Sequence, residues 1–258
     1  MGLLTVENVS RAFGGLSALL NVSFSVEENS FTSLIGPNGA GKTTMLNVIS
    51  RIEALDQGRI FFAGKLISQL RPDQLSSLGI GRTFQLVRVF PGLTALESVM
   101  IGAHAQTRTE IFDALFRPIF VQHENRKIRE EARELLKLVG VDKEKFNMRA
   151  GQLSSPERRG VELARMLIAK PKLLLLDEPT SGLDAVEVEW WTNQIKSVQR
   201  RLGLTILLVE HRVRLVMELS DRIIVLNSGR KVAEGSPEAV ANDPVVRQSY
   251  LGESYVRA

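Results

Sequence analysis

Apolar residues follow two spacings along this chain, and the changes between them divide it. Near the N-terminus short apolar runs alternate with turn residues: Leu4 to Val9, Val22 to Val26 and Phe31 to Ile35, with Glu27 to Ser30 as a turn. This predicts antiparallel β structure over residues 3–35. Met45 to Ile49 reads as a helix, and Gly58 to Ala63 and Ile80 to Phe84 as further strands. From Thr94 to Val139 the pattern becomes helical. Thr94 and Glu97 have the spacing of a capping box ahead of Ser98 to Ile101. Glu124 to Leu138 carries charges on one face and Ile128, Ala132, Leu135, Leu136 and Val139 on the other.

The strand pattern resumes after Pro171. Leu173 to Leu176 is a continuous apolar run ending in acids, which predicts a central parallel strand covered on both faces. Leu204 to Val209 predicts a second one. Between them a helix opens at Asp184 with Glu187 and ends at Gly203. Ile223 to Leu226 and Lys231 to Glu234 flank Asn227 to Arg230 as a hairpin, and Ser236-Pro-Glu opens a short helix in the tail. The pattern predicts an α/β fold with an antiparallel β subdomain and an inserted helical subdomain. The expected boundaries are a core over about 1–88 and 160–235, helices over about 89–159 and a tail over about 236–258.

Composition narrows the class only modestly. The chain has 258 residues, 44 % apolar and 24 % charged, which suits a globular protein. No apolar run approaches the length of a membrane-spanning helix, and the first residues show no signal-peptide pattern. Cysteine is absent, so disulfides and thiolate metal sites are excluded. A net charge of +4 suits phosphate ligands, anionic lipid or nucleic acid without choosing among them.

The candidate chemistry is sharper. Gly36, Pro37, Asn38, Gly39, Ala40, Gly41, Lys42, Thr43 and Thr44 fit the phosphate-loop pattern G-x-x-x-x-G-K-[ST] between a predicted strand and a predicted helix. The glycines let the backbone turn onto an anion. The N–H groups of Asn38 to Thr43 then face a nucleotide's phosphates at a helix N-terminus. Lys42 reaches the outer phosphates and the Thr43 hydroxyl holds Mg²⁺. Leu173 to Asp177 delivers a carboxylate at the C-terminal end of a buried strand, where parallel sheets bind ligands. Asp177 is placed to hold Mg²⁺ through water, and Glu178 to polarise the attacking water.

The ordered set of Gly36–Thr44, Gln85, Leu153-Ser154, Leu173–Glu178, Ser181 to Asp184 and His211 resembles the nucleotide-binding subunit of an ABC transporter across nearly the whole chain. The resemblance implies a RecA-like P-loop core, ATP and Mg²⁺ as ligands, and Mg-dependent ATP hydrolysis coupled to transport. It implies that Phe13 stacks on adenine and that Gln85 contacts Mg²⁺ and water. It also implies that His211 contacts the γ-phosphate, that Ser154 binds the nucleotide of an opposing subunit, and that Asp184 communicates across that dimer. His104 and His123 match no motif and read as ordinary helix residues. The segment Arg108 to Pro118 and the ending from Glu210 through Tyr250-Leu-Gly-Glu253 resemble the branched-chain amino-acid importer subgroup. Urea importers and lipopolysaccharide exporters share enough of this pattern to remain alternatives.

The chain departs from the family at its signature, where Leu-Ser-Gly-Gly-Gln is replaced by Leu153-Ser154-Ser155-Pro156-Glu157. Ser154 and Glu157 retain the capping-box spacing, and proline is tolerated in the first turn, so the helix should form. Pro156 removes an N–H donor that would face phosphate, worth roughly 1.5–3 kcal/mol. The expectation is a heterodimer with a second ABC ATPase subunit, a homodimer being the alternative, or a regulatory subunit with impaired hydrolysis. Arg51 and Arg212 are smaller departures, replacing a common glycine and a common acid. The resemblance further implies two transmembrane permease subunits, an indirect solute-binding partner, no nucleic acid, and a peripheral place on the cytoplasmic face of the inner membrane. Ile111, Phe112, Leu115, Phe116, Ile119 and Phe120 have helical spacing and pack on their own subdomain or contact the permease. A DNA-repair ATPase needs a long coiled coil between motifs, and a translation-type ATPase usually has two cassettes; this chain shows neither.

Overall fold

The structure, a computed structural model, describes residues 2–83, 90–105 and 118–248. Its elements run β1 (Leu4–Phe13), β2 (Leu16–Val26), β3 (Phe31–Ile35), α1 (Lys42–Ile49), β4 (Gln57–Phe62), β5 (Lys65–Leu66), α2 (Pro72–Leu78), β6 (Ile80–Arg82) and α3 (Ala95–Met100). They continue with α4 (Pro118–Leu138), α5 (Ser155–Leu167), β7 (Leu173–Asp177), α6 (Ala185–Leu202), β8 (Thr205–Val209), α7 (Val213–Leu219), β9 (Arg222–Asn227), β10 (Arg230–Gly235), α8 (Pro237–Asn242) and α9 (Pro244–Val246). Two compact units result. One comprises Met1–Leu75, Leu173–Pro179 and Gly203–Ala258, the other Ser76–Lys172 and Thr180–Leu202.

The first unit holds two sheets. β2-β1-β4-β5 is antiparallel, and β10-β9-β3-β8-β7 places β3 in parallel between β9 and β8. The expectation of antiparallel structure over residues 3–35 holds for β1 and β2 and fails for β3. Thr32 and Ser33 give β3 a polar interior that hides its nature, yet all five of its residues are buried. The Ser33 hydroxyl is satisfied by the Ser220 hydroxyl at 2.6 Å, as a buried polar group requires. β7 and β8 are wholly buried, as their unbroken apolar runs predict. The two sheets are tied where Leu20 N–H donates to the Gly229 carbonyl at 2.8 Å.

The second unit is mainly helical. α4 buries Ala132, Leu135 and Leu136, with Val139 just past its end, and leaves Arg126, Lys127, Arg129, Glu130, Arg133, Glu134 and Lys137 exposed. α3 starts on the predicted capping box, in which Thr94 Oγ1 accepts from Glu97 N–H at 3.1 Å. The loop before α5 is fixed by backbone hydrogen bonds from Ala95 to Met148 and from Leu96 to Phe146, both 3.0 Å. The predicted strand Ile80–Phe84 is seen over Ile80–Arg82; Phe84 lies outside the described residues.

Candidate nucleotide site

β3 ends at Ile35 and the chain turns at once through Gly36 to Gly41 into α1. Two glycines there are required by sterics. A Cβ on Gly36 would lie 2.0 Å from the Leu226 carbonyl oxygen, and one on Gly41 2.4 Å from that of Ala18. Gly41, at φ 99°, is the N-cap of α1 and supplies no side-chain cap. The first turn of α1 carries no acid. α3 and α5 differ, since each presents its own glutamate to its N-terminus. The first-turn N–H groups of α1 are therefore left for an anion.

Lys42 lies over this loop, donating to the carbonyls of Gly36 and Pro37 at 2.9 Å each. Burial pushes its ammonium below the ordinary lysine range, while the nearby Glu178 and Asp177 carboxylates act in the opposite direction. Asp177 is buried at the end of β7. Glu178 follows with φ 46°, a strained conformation for a non-glycine residue. Its N–H donates to the Val209 carbonyl at 2.9 Å, continuing the β7–β8 ladder by one step. That fixes Glu178 beside the residues after β8. His211 Nε2 lies 2.5 Å from Glu178 Oε1.

Glu210 is a contributor that the sequence reading did not single out. Its side chain is buried, and Oε2 accepts from the His211 N–H at 2.8 Å and the Arg212 N–H at 3.3 Å. It thereby holds the turn that carries His211. A run of one acid before a histidine gave no signal for this.

A hollow of about 510 Å³ joins these parts, a size suited to a nucleotide-scale ligand. Asn38 to Thr44, Glu178 and His211 line it, together with Leu16, Ser17, Ala18 and Ser228, which the sequence did not suggest. Asp177 is not among the lining residues. Phe13 is also outside the lining, but it is the cross-strand partner of Leu16 in the β1–β2 hairpin and remains 42 % exposed. Gln85 lies outside the described residues, as do residues 111, 112, 115, 116 and 250–253. His104 and His123 fall on helical backbone.

Among the described residues no cluster of three or more His, Cys, Asp or Glu side chains could cage a metal. The donors present are the Thr43 hydroxyl and the Asp177 carboxylate. Two hard oxygen donors fit Mg²⁺, which keeps waters and takes other ligands from phosphate rather than from an all-protein cage.

Ser154 and Asp184 belong to the second unit. Ser154 is the N-cap of α5, with Ser155 and Pro156 the first two helical residues. Ser154 N–H and hydroxyl donate to Glu157 Oε2 at 3.0 and 2.9 Å, and Glu157 N–H returns to Ser154 Oγ at 3.5 Å. Lys145 Nζ meets the other Glu157 oxygen at 2.5 Å. Burial raises the Glu157 carboxyl, but the hydrogen bonds from Lys145 and Ser154 outweigh it and hold the group below its ordinary value. Asp184 caps α6 reciprocally with Glu187, accepting the Glu187 N–H at 2.9 Å. Arg159, one turn into α5, donates to the Ser181 carbonyl and ties α5 to the segment before α6.

Comparison with known proteins finds relatives along nearly the whole chain. A family described as "ABC transporter" matches residues 19–181, and one described as "Branched-chain amino acid ATP-binding cassette transporter" matches residues 230–256. The high-affinity branched-chain amino acid transport ATP-binding protein LivG of Salmonella typhimurium is 36 % identical over 252 residues, covering 98 % of each chain. A solved ATP-binding cassette of an ABC transporter in its ADP conformation is 30 % identical, with a TM-score of 0.82 over 98 % of this chain and 100 % of that one. A dimeric cassette in a post-hydrolysis state bound to ADP and Pi is 28 % identical, with a TM-score of 0.75 over 91 % of this chain and 98 % of that one.

Proposed function

The chain belongs to the ABC transporter family as one of its ATP-binding cassettes, and from that membership we propose that it is the ATP-hydrolysing motor of an importer for branched-chain or other hydrophobic amino acids. The observation that carries the motor reading is the single hollow that brings the Gly36–Thr44 loop to Glu178 and His211. The match of residues 230–256 to the branched-chain family supports the solute class.

The residues divide the work as follows. The N–H groups of the loop and Lys42 bind the phosphates. Thr43 and Asp177 would hold Mg²⁺, which supplies charge neutralisation at the phosphate oxygens. Glu178 orients a water and takes its proton as the water oxygen bonds to the γ-phosphorus. The bond from that phosphorus to the bridging oxygen breaks, leaving ADP and phosphate. His211, braced by Glu178 and by the Glu210 turn, contacts the γ-phosphate. By the family resemblance, Gln85 would contribute to holding Mg²⁺ and the attacking water, and Phe13 would stack on adenine.

Ser154 and Asp184 act on a partner cassette's nucleotide. With Pro156 at the second helical position of α5, one backbone donor is missing, and the Ser154 and Glu157 donors are engaged with each other. This supports an asymmetric pair in which this chain hosts the working site and completes its partner's site poorly. Two permease subunits and, through them, a solute-binding protein complete the assembly. A cavity of about 380 Å³ in the second unit, lined partly by Ile80, Phe90, Ile101 and Met166, offers an apolar seat for a permease helix. Among the described residues no helix is long and apolar enough to cross a membrane. In this reading, attachment to the cytoplasmic face runs through the permease.

The test is reconstitution with a partner cassette and permease subunits in vesicles. ATP-dependent uptake of labelled leucine, abolished by Glu178→Gln, is the expected result. ATP turnover without uptake of leucine, isoleucine or valine overturns the solute class. No turnover beside a partner with an intact signature overturns the motor reading and favours a regulatory subunit.

A further inference from the structure

Arg11 is an unusual surface arginine. Its guanidinium carbon lies 4.6 Å from the centroid of the Phe13 ring. Nη1 is held by Asp56 Oδ1 at 2.8 Å, and Nε faces Glu53 Oε2 at 4.0 Å. Glu53 is itself fixed, its other oxygen accepting from Asn47 Nδ2 at 2.8 Å. Asp56 thus holds the guanidinium by a hydrogen bond, with Glu53 at ion-pair distance only, while the guanidinium carbon lies over one side of the aromatic ring. Only 23 % of its side chain is exposed.

This arrangement is not needed to stitch β1 to the chain entering β4. Asp56 N–H already donates to the Ser10 carbonyl at 2.9 Å, and Asp56 Oδ2 accepts the Ala12 N–H at 2.7 Å. What Arg11 adds is a backing for Phe13. That ring stands at the end of a strand, before Gly14-Gly15, with 42 % of its residue surface open. An unsupported aromatic there would sample several rotamers and lose that freedom on stacking. A guanidinium drawn to one π-face removes that freedom in advance and leaves the opposite face for a second flat group. Leu16, opposite Phe13 across the hairpin, lines the phosphate-loop hollow.

We propose that Arg11 is a positioning residue for the nucleotide base: fixed by Asp56, it backs Phe13 so that guanidinium, phenyl and adenine form one stack. The proposal rests on Phe13 being the adenine platform. It makes the affinity for adenine nucleotides depend on a residue that touches neither base nor phosphate.

Equilibrium binding of ATP and of inorganic tripolyphosphate to the purified chain tests it, because the second ligand has phosphates and no base. Arg11→Ala is expected to weaken ATP roughly two- to fivefold and to leave tripolyphosphate unchanged. Arg11→Lys should restore part of the loss. Phe13→Ala should weaken ATP by roughly fivefold or more, and adding Arg11→Ala to it should change nothing further. Equal losses for both ligands from Arg11→Ala, or additive losses in the double variant, overturn the proposal and leave Arg11 a structural residue. If Phe13→Ala weakens ATP and Arg11→Ala does not, the platform stands and the positioning role falls. If Phe13→Ala has no effect, the platform itself falls and the proposal with it.

Discussion

Glu178 Oε1 and His211 Nε2 lie 2.5 Å apart, so the two groups proposed to act on the terminal phosphate hold each other. The backbone enforces the meeting, because the Glu178 N–H bonds to Val209, two residues before His211. Residues that act as a unit give non-additive losses. Glu178→Gln should therefore keep ATP binding and lower turnover roughly 10²- to 10³-fold. His211→Ala should lower it comparably, and the double variant should be little worse than the poorer single one. Steady-state hydrolysis with a separate binding assay checks this.

Lys42 donates two hydrogen bonds to its own loop and is 5 % exposed. Replacing it by methionine keeps the stem and removes the charge proposed to meet the phosphates. ATP affinity should fall about tenfold to a hundredfold, the range of one charge-assisted hydrogen bond. Titration calorimetry would read this directly.

Arg51 stands where the family commonly has glycine, and the structure shows why glycine suits the position. α1 closes with Arg51 N–H on the Val48 carbonyl at 3.2 Å and Ile52 N–H on the Asn47 carbonyl at 2.9 Å, with Arg51 at φ 59°. This is a Schellman ending, whose left-handed residue favours glycine. The Arg51 Nε bond to the Leu70 carbonyl at 3.2 Å offsets part of the strain. Arg51→Gly should still stabilise the chain by about 0.5–1 kcal/mol, raising Tm by about 1–4 °C. A thermal melt decides it.

Glu157 caps α5 and meets Lys145, and its carboxyl is held below its ordinary value of 4.5. Because the folded value is depressed, its stabilisation is fully present above 4.5 and is lost as pH falls through the folded value. Glu157→Gln should cost about 0.5–1 kcal/mol near neutrality. The urea midpoints of variant and wild type should converge as the solution is acidified below 4.5.

Much of this was legible in the sequence because each part has a local signature. The glycines and Lys42 announce a phosphate loop, the Leu173–Leu176 run announces a buried strand, and Thr94 with Glu97 announces a helix start. β3 misled because Thr32 and Ser33 interrupt the apolar run that marks a strand buried on both faces, and the Ser220 partner satisfies Ser33 there. Glu210 was illegible for a similar reason: its role is a pair of hydrogen bonds to the next two backbone N–H groups, which no residue spacing encodes. Arg11 was hidden because its partners Asp56 and Glu53 lie more than forty residues away. The contact of Glu178 with His211 spans 33 residues and exists only because β7 and β8 are neighbours.

The central claim is that this chain carries a working hydrolytic site and an impaired signature helix, the impairment lying in Pro156. Steady-state ATP turnover of the purified chain beside Pro156→Gly, with Glu178→Gln as the blank, tests it most directly. The account predicts that Pro156→Gly turns over about tenfold or more faster than wild type, the gain from one restored donor to phosphate. Equal turnover of wild type and Pro156→Gly, both well above the blank, would contradict it and make a symmetric homodimer the better description.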